Sequence, residues 1–320
     1  MSKGKSKHTG KELSAFVVSA TPFDDRGLLD EASLRKHLRR MLKAGVDGVY
    51  MGAPGAGESF SMTPDERDRM LAIAVEELKG KIGVRAMGWE PRLTEEMVDF
   101  VRRCEAIKPD AVLIYMLDMG HGVKPTTEEM ERYYSAILDA TSLPIVISVI
   151  PSLVGYNFPM NLLERLIDRY PGIEGIAYGG QDLNYLSELI RRLGDRVEVH
   201  CAGESNALNV LYLGGNGFEG HMANFAPQLF VSILSAFRAK DDKLLSSSFS
   251  KLMALDGLVG GYGGHSSMRA MKPLMNAFGL PGAGMVRSPR LPISSAELDK
   301  IVNGVLRLEL PGIPAARVKT

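Results

Sequence analysis

The stretch that decides the fold is residues 144–178, PIVISVIPSLVGYNFPMNLLERLIDRYPGIEGIAY. It opens with an apolar run, Pro144–Ile150, passes through a segment with leucines at helical spacing, Asn161–Arg169, and ends in a second apolar run, Ile173–Tyr178. Continuous apolar runs are typical of strands buried on both faces. A helix between two such strands requires parallel pairing through a right-handed crossover. This stretch is therefore predicted to be one β–α–β unit of a parallel sheet.

Working outward from this unit, the same alternation of a short apolar run and an amphipathic segment occurs eight times. Eight units in roughly 230 residues favour a closed (β/α)8 TIM barrel of the α/β class over an open doubly wound sheet. The predicted strands are Ala15–Pro22, Gly48–Met51, Ile82–Met87, Ala111–Leu117, Pro144–Ile150, Ile173–Tyr178, Val197–Cys201 and Phe218–Ala223.

A C-terminal helical extension follows the barrel. Its predicted helices are Lys243–Leu255, Ser266–Phe278 and Ser294–Leu308, and five glycines in Gly257–Gly264 predict a connector between the first two. Ser294 and Glu297 have the spacing of a capping box, as do Thr63 and Glu66 at an earlier helix start. The predicted organisation is a flexible tail at 1–12, the barrel at 13–238, the helical appendage at 239–312 and a tail at 313–320.

The composition excludes several classes of partner. Of the 320 residues, 38 are basic and 38 are acidic, so the net charge gives no reason to expect nucleic-acid or acidic-membrane binding. No apolar run approaches the roughly 20 residues that span a bilayer. The two cysteines, Cys104 and Cys201, are far apart in the chain, which favours a reducing cytoplasm over a disulfide framework.

Catalytic groups of a (β/α)8 barrel come from the C-terminal ends of its strands. His200 and His221 are candidate metal ligands with Glu204, but they lack a ligand spacing, and core or loop histidines are the simpler interpretation. A Cys201–His200 nucleophile pair is disfavoured because neighbours on a strand point to opposite faces. The groups at the strand ends include Ser19, Thr21, Gly55–Gly57, Arg85, Trp89, Tyr115, Asp118, His121, Lys124, Ser148, Ala177, Tyr178, His200, Glu204, Gly220, His221 and Asn224.

Several short motifs carry a family resemblance. They are Ser19–Phe23, Gly57-Glu58 followed by Thr63–Arg67, Leu143–Gly155, Ile173–Ala177, Ala223–Pro227 and Val286–Pro289. In this order and spacing, from about Ala15 to Leu308, they resemble the dihydrodipicolinate synthase/N-acetylneuraminate lyase family.

The resemblance implies a class I aldolase-type lyase. In that family a lysine at the end of strand 6 forms a Schiff base with pyruvate or another 2-oxo acid, and a strand 5 tyrosine shuttles the proton. A Thr-Thr pair after strand 2 relays the proton and helps to bind the carboxylate. The family also implies a homo-oligomer, either a dimer or a tetramer.

At the matching positions this sequence differs from the family pattern. The lysine position reads Ala177 and the tyrosine position reads Ser148. The Thr-Thr pair reads Gly55-Ala56, and an arginine that holds a distal carboxylate in the synthases reads Leu153. Alanine has no amine, so an imine cannot form at Ala177. Lys124, on the loop after strand 4, is a less favoured replacement nucleophile.

Two functional hypotheses follow. The favoured one is a divergent carbon–carbon lyase or aldolase-like enzyme that acts on a small 2-oxo acid or related carboxylate without the lysine imine. Its acid–base candidates are Tyr115, His221, Glu204 and Lys124, and Tyr178 is considered beside them although it is expected to face the helices. The alternative is a catalytically inactive small-molecule-binding or regulatory barrel. No cofactor is expected, although a divalent metal could replace the imine as electron sink. The residues expected to line the substrate site are Thr21, Gly55, Ala56, Gly57, Ser148, Ala177 and Gly220.

Overall fold

The computed structural model describes residues 12–88, 93–262 and 268–318. Most of the predicted N-terminal tail, Trp89, Ser266 and the last two residues lie outside these ranges. No helix among the described residues is both long and apolar enough to cross a membrane.

The predicted (β/α)8 barrel is confirmed. Eight strands close into a barrel in chain order, and the strands pair in parallel from the first to the third and from the fourth to the eighth. The strands are β1 (Ser14–Val18), β2 (Gly48–Met51), β3 (Gly83–Met87), β4 (Ala111–Ile114), β5 (Ile145–Val149), β6 (Ile173–Tyr178), β7 (Glu198–Ala202) and β8 (Gly217–Gly220).

The helices lie between the strands and in the C-terminal extension, as predicted. They are α1 (Glu31–Ala44), α2 (Pro64–Leu78), α3 (Thr94–Ile107), α4 (Thr127–Leu138), α5 (Pro151–Val154), α6 (Met160–Arg169), α7 (Leu183–Leu193), α8 (Ala207–Tyr212), α9 (Pro227–Ala239), α10 (Asp242–Gly260), α11 (Met268–Ala277) and α12 (Ser295–Leu308).

The structure corrects the predicted ends of some elements. The connector predicted at Gly257–Gly264 was wrong at its start, because α10 continues through Gly257 to Gly260. The one-turn helix α5 was not predicted, and Pro151 occupies its first turn. Strands β1, β4 and β8 are each shorter than their apolar runs, because those runs continue into buried loops. Burial makes a run apolar whether or not it is paired in the sheet.

The predicted helix starts are confirmed at atomic detail. At α2 the Thr63 side chain accepts from the Glu66 amide at 3.2 Å, and the Glu66 carboxylate accepts from the Thr63 amide at 2.9 Å. These two bonds satisfy amides that the helix itself leaves without partners. The same reciprocal box begins α4 and α12.

Replacing the cap of α2 tests its contribution. We expect Thr63→Ala to lower the free energy of unfolding by about 1 kcal/mol, because the Glu66 amide loses its acceptor. Denaturant unfolding followed by circular dichroism measures the change. Ser295→Ala, at an exposed helix position that is not a cap, is the matched control and is expected to change the value by less than about 0.5 kcal/mol. Equal effects in the two variants would contradict the capping role.

Among the described residues, the chain divides into two compact units. One contains residues 12–14 and 93–219, and it therefore holds β4–β7 with helices α3–α8. The other contains residues 15–88, 220–262 and 268–318, and it holds β2, β3, helices α1 and α2, and the C-terminal helices. In the second unit Phe225 and Phe278 pack edge to face with ring centroids 5.3 Å apart.

Candidate functional site

The first candidate site is a row of three residues across neighbouring strands. In the register of the sheet, Ser148 of β5 pairs with Ala177 of β6, and Ala177 pairs with His200 of β7. Residues paired across parallel strands point to the same face of a sheet. Ser148, Ala177 and His200 therefore share one face, and we call them the inner row.

The neighbouring residues show which face this is. Tyr178 follows Ala177, and its ring lies 5.3 Å from the ring of Tyr185 on α7. The Tyr178 hydroxyl donates to the carbonyl of Asp182 at 3.1 Å and accepts from the Asp182 amide at 3.2 Å. Tyr178 thus faces the helices, as strand alternation predicted, and the inner row faces the barrel interior.

The inner row holds buried polar groups. Ser148 has no exposed surface, and its hydroxyl has no hydrogen-bond partner among the described residues. His200 is 2% exposed, with Nε2 at 3.1 Å from the Ser14 hydroxyl and 3.9 Å from a carboxylate oxygen of Glu198. An unpaired buried hydroxyl costs about 1–3 kcal/mol, so an apolar residue would be more stable at position 148. Such groups are common where a ligand supplies the missing partner.

The second candidate site is the loop after β2, residues 52–58, which we call the β2 loop. Gly52 has φ +92°, and a Cβ on Gly57 would lie 2.7 Å from the Ala53 nitrogen, so both positions require glycine. Within the described residues, the amides of Gly55 and Ala56 have no acceptor at hydrogen-bond geometry. Two successive amides without acceptors suit a carboxylate or another anion.

A buried ion pair holds the end of the β2 loop. Glu58 has a left-handed φ of 53°, and its carboxylate pairs with the Lys272 ammonium of α11. Both side chains are completely buried. Lys272 also donates to the Met285 carbonyl at 2.9 Å and lies 4.5 Å from the ring centroid of Phe23. Burial lowers the pKa of Lys272, and the Glu58 carboxylate opposes that shift.

Asn224 is the polar centre of the segment after β8. Its side-chain oxygen accepts from the Ala20 amide at 2.9 Å and contacts Nε2 of His37 at 3.0 Å. Its amide nitrogen donates to the carbonyls of Val18 and His221, each at 2.8 Å. Burial, together with the charge of Arg40, lowers the pKa of His37 to about 4, so this histidine is neutral at pH 7.

The other predicted site residues lie in varied surroundings. Thr21 is fully buried and donates to the Met70 sulfur at 3.1 Å. Tyr115 is 7% exposed, and its carbonyl accepts from the Tyr133 hydroxyl at 3.2 Å. Lys124 is solvent-exposed on the β4–α4 loop, and Leu153 is 48% exposed on α5.

Three further candidates follow the last strands of the barrel. Glu204, 3% exposed, begins the turn after β7, and Gly220 ends β8. His221 is 5% exposed. Glu204 belongs to the first compact unit and His221 to the second, and their interpretation as metal ligands together with His200 stays the less favoured hypothesis.

Sequence reasoning included His200 among the strand-end groups but not among the acid–base candidates. This residue was interpreted as a core or loop histidine because histidine on an apolar strand is usually structural. The missing information was the register, which sets His200 beside Ala177.

Comparison with known proteins supports one family. The model of the Dihydrodipicolinate synthetase family matches residues 11–306. This chain belongs to the dihydrodipicolinate synthetase family. The match includes the inner row, the β2 loop, Asn224 and Lys272, so each candidate group lies within the family domain.

Curated relatives of this family member cover almost the whole chain. A 4-hydroxy-tetrahydrodipicolinate synthase of Methanococcus vannielii is 27% identical over 301 residues, which are 92% of this chain and 98% of the relative. A DapA-like lyase of Pyrococcus abyssi, described as uncharacterized, is 28% identical over 299 residues, 91% of this chain and 96% of the relative.

The fold of the dihydrodipicolinate synthetase family also agrees with solved structures. YagE of Escherichia coli K12, a prophage protein of the same family in complex with pyruvate, superposes with a TM-score of 0.84. The alignment covers 93% of this chain and 99% of YagE at 21% identity. At this identity the comparison supports the fold alone.

Proposed function

We propose that this family member is a divergent carbon–carbon lyase or aldolase-like enzyme that acts on a small 2-oxo acid or related carboxylate without a lysine imine. The observation that carries the proposal is the inner row. It keeps a buried, unpartnered hydroxyl at Ser148 and a buried imidazole at His200 on either side of Ala177. The lyase-like role agrees with the family, and the loss of the imine is inferred from Ala177.

A ligand of the inner row would lie over Ala177. Adjacent strands lie about 4.8 Å apart, so Ser148 and His200 are separated by about 10 Å at the backbone. Ala177, between them, has only a methyl side chain. A small 2-oxo acid placed over Ala177 would contact both polar groups.

In the proposed reaction His200 acts as the acid–base group. As base it removes a proton from the carbon next to the 2-oxo carbonyl, and the Ser148 hydroxyl donates a hydrogen bond to the enolate oxygen. The enolate carbon then attacks an aldehyde carbonyl to form the new carbon–carbon bond. The resulting alkoxide takes the proton back from His200, and cleavage follows the same steps in reverse.

The β2 loop lies in the other compact unit, and by itself it suits a carboxylate, because the amides of Gly55 and Ala56 have no acceptor among the described residues. We propose a cytoplasmic homo-oligomer, a dimer or a tetramer, with no nucleic-acid or membrane partner. No cofactor is required by the proposed steps, and a divalent metal as electron sink is a variant of the same hypothesis.

Turnover in a panel of 2-oxo acids and aldehydes tests the proposal. We expect His200→Gln to lower kcat/KM about 100-fold, since general acid–base groups contribute at least that much. Ser148→Ala is expected to lower it about tenfold or more without loss of stability, because no group in the described part of the chain bonds the hydroxyl. Tyr178→Phe, on the opposite face of β6, is the control and is expected to retain wild-type activity.

The alternative function is a non-catalytic binding barrel. Two departures from the family's pattern favour it. Ala177 has no amine, and Leu153 replaces the arginine that holds a distal carboxylate in the synthases. No turnover with any member of the panel, with and without Mg²⁺, Mn²⁺ or Zn²⁺, would support this alternative and contradict the lyase.

Borohydride trapping with pyruvate separates the lyase hypothesis from a relocated imine. No adduct is expected on the wild-type protein, and Ala177→Lys serves as the comparison. A wild-type adduct mapped to Lys124 would show that the imine has moved.

A further inference from the structure

Arg290 contacts the β2 loop from the C-terminal extension. Its guanidinium donates from Nη1 to the carbonyl of Gly55 at 3.2 Å, and its carbon Cζ lies 4.7 Å from the ring centroid of Phe60. Its own backbone amide donates to the Arg287 carbonyl at 3.2 Å, which closes a tight turn. Arg290 is therefore held at three points and is only partly exposed.

Arg290 differs from its neighbours in having no acidic partner. Arg287 pairs with Glu66 at 3.0 Å, and Lys272 pairs with Glu58. Among the residues that the structure describes, no carboxylate pairs with Arg290. Within the described ranges, these three cations therefore have two carboxylate partners, and the charge of Arg290 beside the β2 loop has none.

The contact with Gly55 determines where the next amide points. The peptide unit is planar and trans, so the Gly55 carbonyl and the Ala56 N–H point in opposite directions. A glycine at position 55 imposes little resistance to rotation of that unit. Fixing the carbonyl with Arg290 therefore fixes the direction of the Ala56 N–H, and the charged donor also polarises the peptide.

We infer that Arg290 is a positioning residue: it holds the Gly55–Ala56 peptide so that the Ala56 amide donates to the carboxylate of a small-molecule ligand. The side chains of Gly55, Ala56 and Gly57 carry no donor, so the loop recognises an anion only through its amides. The Ala56 amide has no acceptor within the described protein. The inference rests on the proposed function for the class of ligand, a small carboxylate.

The test measures binding of pyruvate to the full chain by isothermal titration. Methyl pyruvate, which lacks the charged carboxylate, is the comparison ligand, and inorganic phosphate tests for general anion binding. We expect the wild type to prefer pyruvate, and Arg290→Met to weaken pyruvate binding about tenfold or more without changing the binding of methyl pyruvate. Arg290→Lys, which still donates to the Gly55 carbonyl, is expected to restore part of the affinity.

A second readout separates positioning from a merely structural role. In protein labelled with ¹⁵N-alanine, pyruvate is expected to shift the Ala56 amide resonance in the wild type and not in Arg290→Met. Arg26→Met is the matched control, because Arg26 is an exposed arginine that pairs with Asp24 at 3.1 Å. This control is expected to keep both the affinity and the Ala56 shift.

The outcomes are distinct from those of the turnover assay. Wild-type affinity and an unchanged Ala56 shift in Arg290→Met would overturn the inference, as would the absence of saturable pyruvate binding in the wild type. Phosphate binding as tight as pyruvate binding would overturn the assignment of a carboxylate. A pyruvate-dependent Ala56 shift without any turnover would support Arg290 and contradict the lyase.

Discussion

Lys272→Met is expected to lower the free energy of unfolding by about 3–5 kcal/mol, the range seen when one partner of a buried ion pair is removed. The Lys272 ammonium pairs with the Glu58 carboxylate where neither side chain reaches solvent. In the described residues, neither Glu58 oxygen has a further hydrogen-bond partner. Methionine fills the space of the lysine stem but leaves the Glu58 carboxylate buried and uncompensated. Guanidinium chloride unfolding measures the change.

Two variants make this prediction specific. Lys272→Met combined with Glu58→Met is expected to recover most of the loss, because replacing both charges with apolar groups removes the desolvation penalty. Lys300→Met, at an exposed position on α12, is the control and is expected to change stability by less than about 0.5 kcal/mol. A loss below about 1 kcal/mol in Lys272→Met would contradict the prediction, because it would show that the Glu58 carboxylate is solvated or finds another partner in the variant.

Asn224→Leu is expected to lower the free energy of unfolding by about 3 kcal/mol or more. Leucine has a similar volume but supplies neither donor nor acceptor. The substitution leaves the Ala20 amide and the carbonyl of Val18 without their Asn224 bonds, and each unpaired buried group costs about 1–3 kcal/mol. It also removes the group that contacts Nε2 of His37.

The pH dependence of Asn224→Leu gives an independent check. The folded-state pKa of His37 is about 4, below the ordinary histidine value of 6.5, so in the wild type its contribution is present above pH 6.5 and is lost as pH falls toward 4. The Asn224 contact opposes this shift, so its removal is expected to steepen the loss of stability on acidification. Asn303→Leu, exposed on α12, is the control. A variant as stable as this control would contradict the role of Asn224.

The fold could be predicted because burial leaves a strong pattern. The apolar run Ile173–Tyr178 has the same bounds in the sequence pattern and in the structure. Capping boxes such as Thr63/Glu66 located helix starts because their chemistry is local. The ends of α10 and β4 were not predictable, because a glycine such as Gly257 is tolerated in a helix and a buried loop is as apolar as a strand.

The candidate site was predictable only in part. Ala177 and Ser148 were located by motif, and the structure sets them side by side through the register of β5 and β6. The pairing of His200 with Ala177 was not predicted, because the register of β7 depends on the whole sheet and not on local sequence. The contact of Arg290 with Gly55 joins residues 235 positions apart, and no local pattern indicates a contact over that distance.

The pairing of Glu58 with Lys272 also limits how this sequence can change over time. A mutation at either position alone passes through a protein with an unpaired buried charge, and selection removes variants that fall below the stability needed for function. The two positions are therefore expected to be lost or exchanged together. Substitutions at Glu58 in the β2 loop and at Lys272 in α11 are therefore expected to be coupled, although 214 positions of sequence separate the two charges.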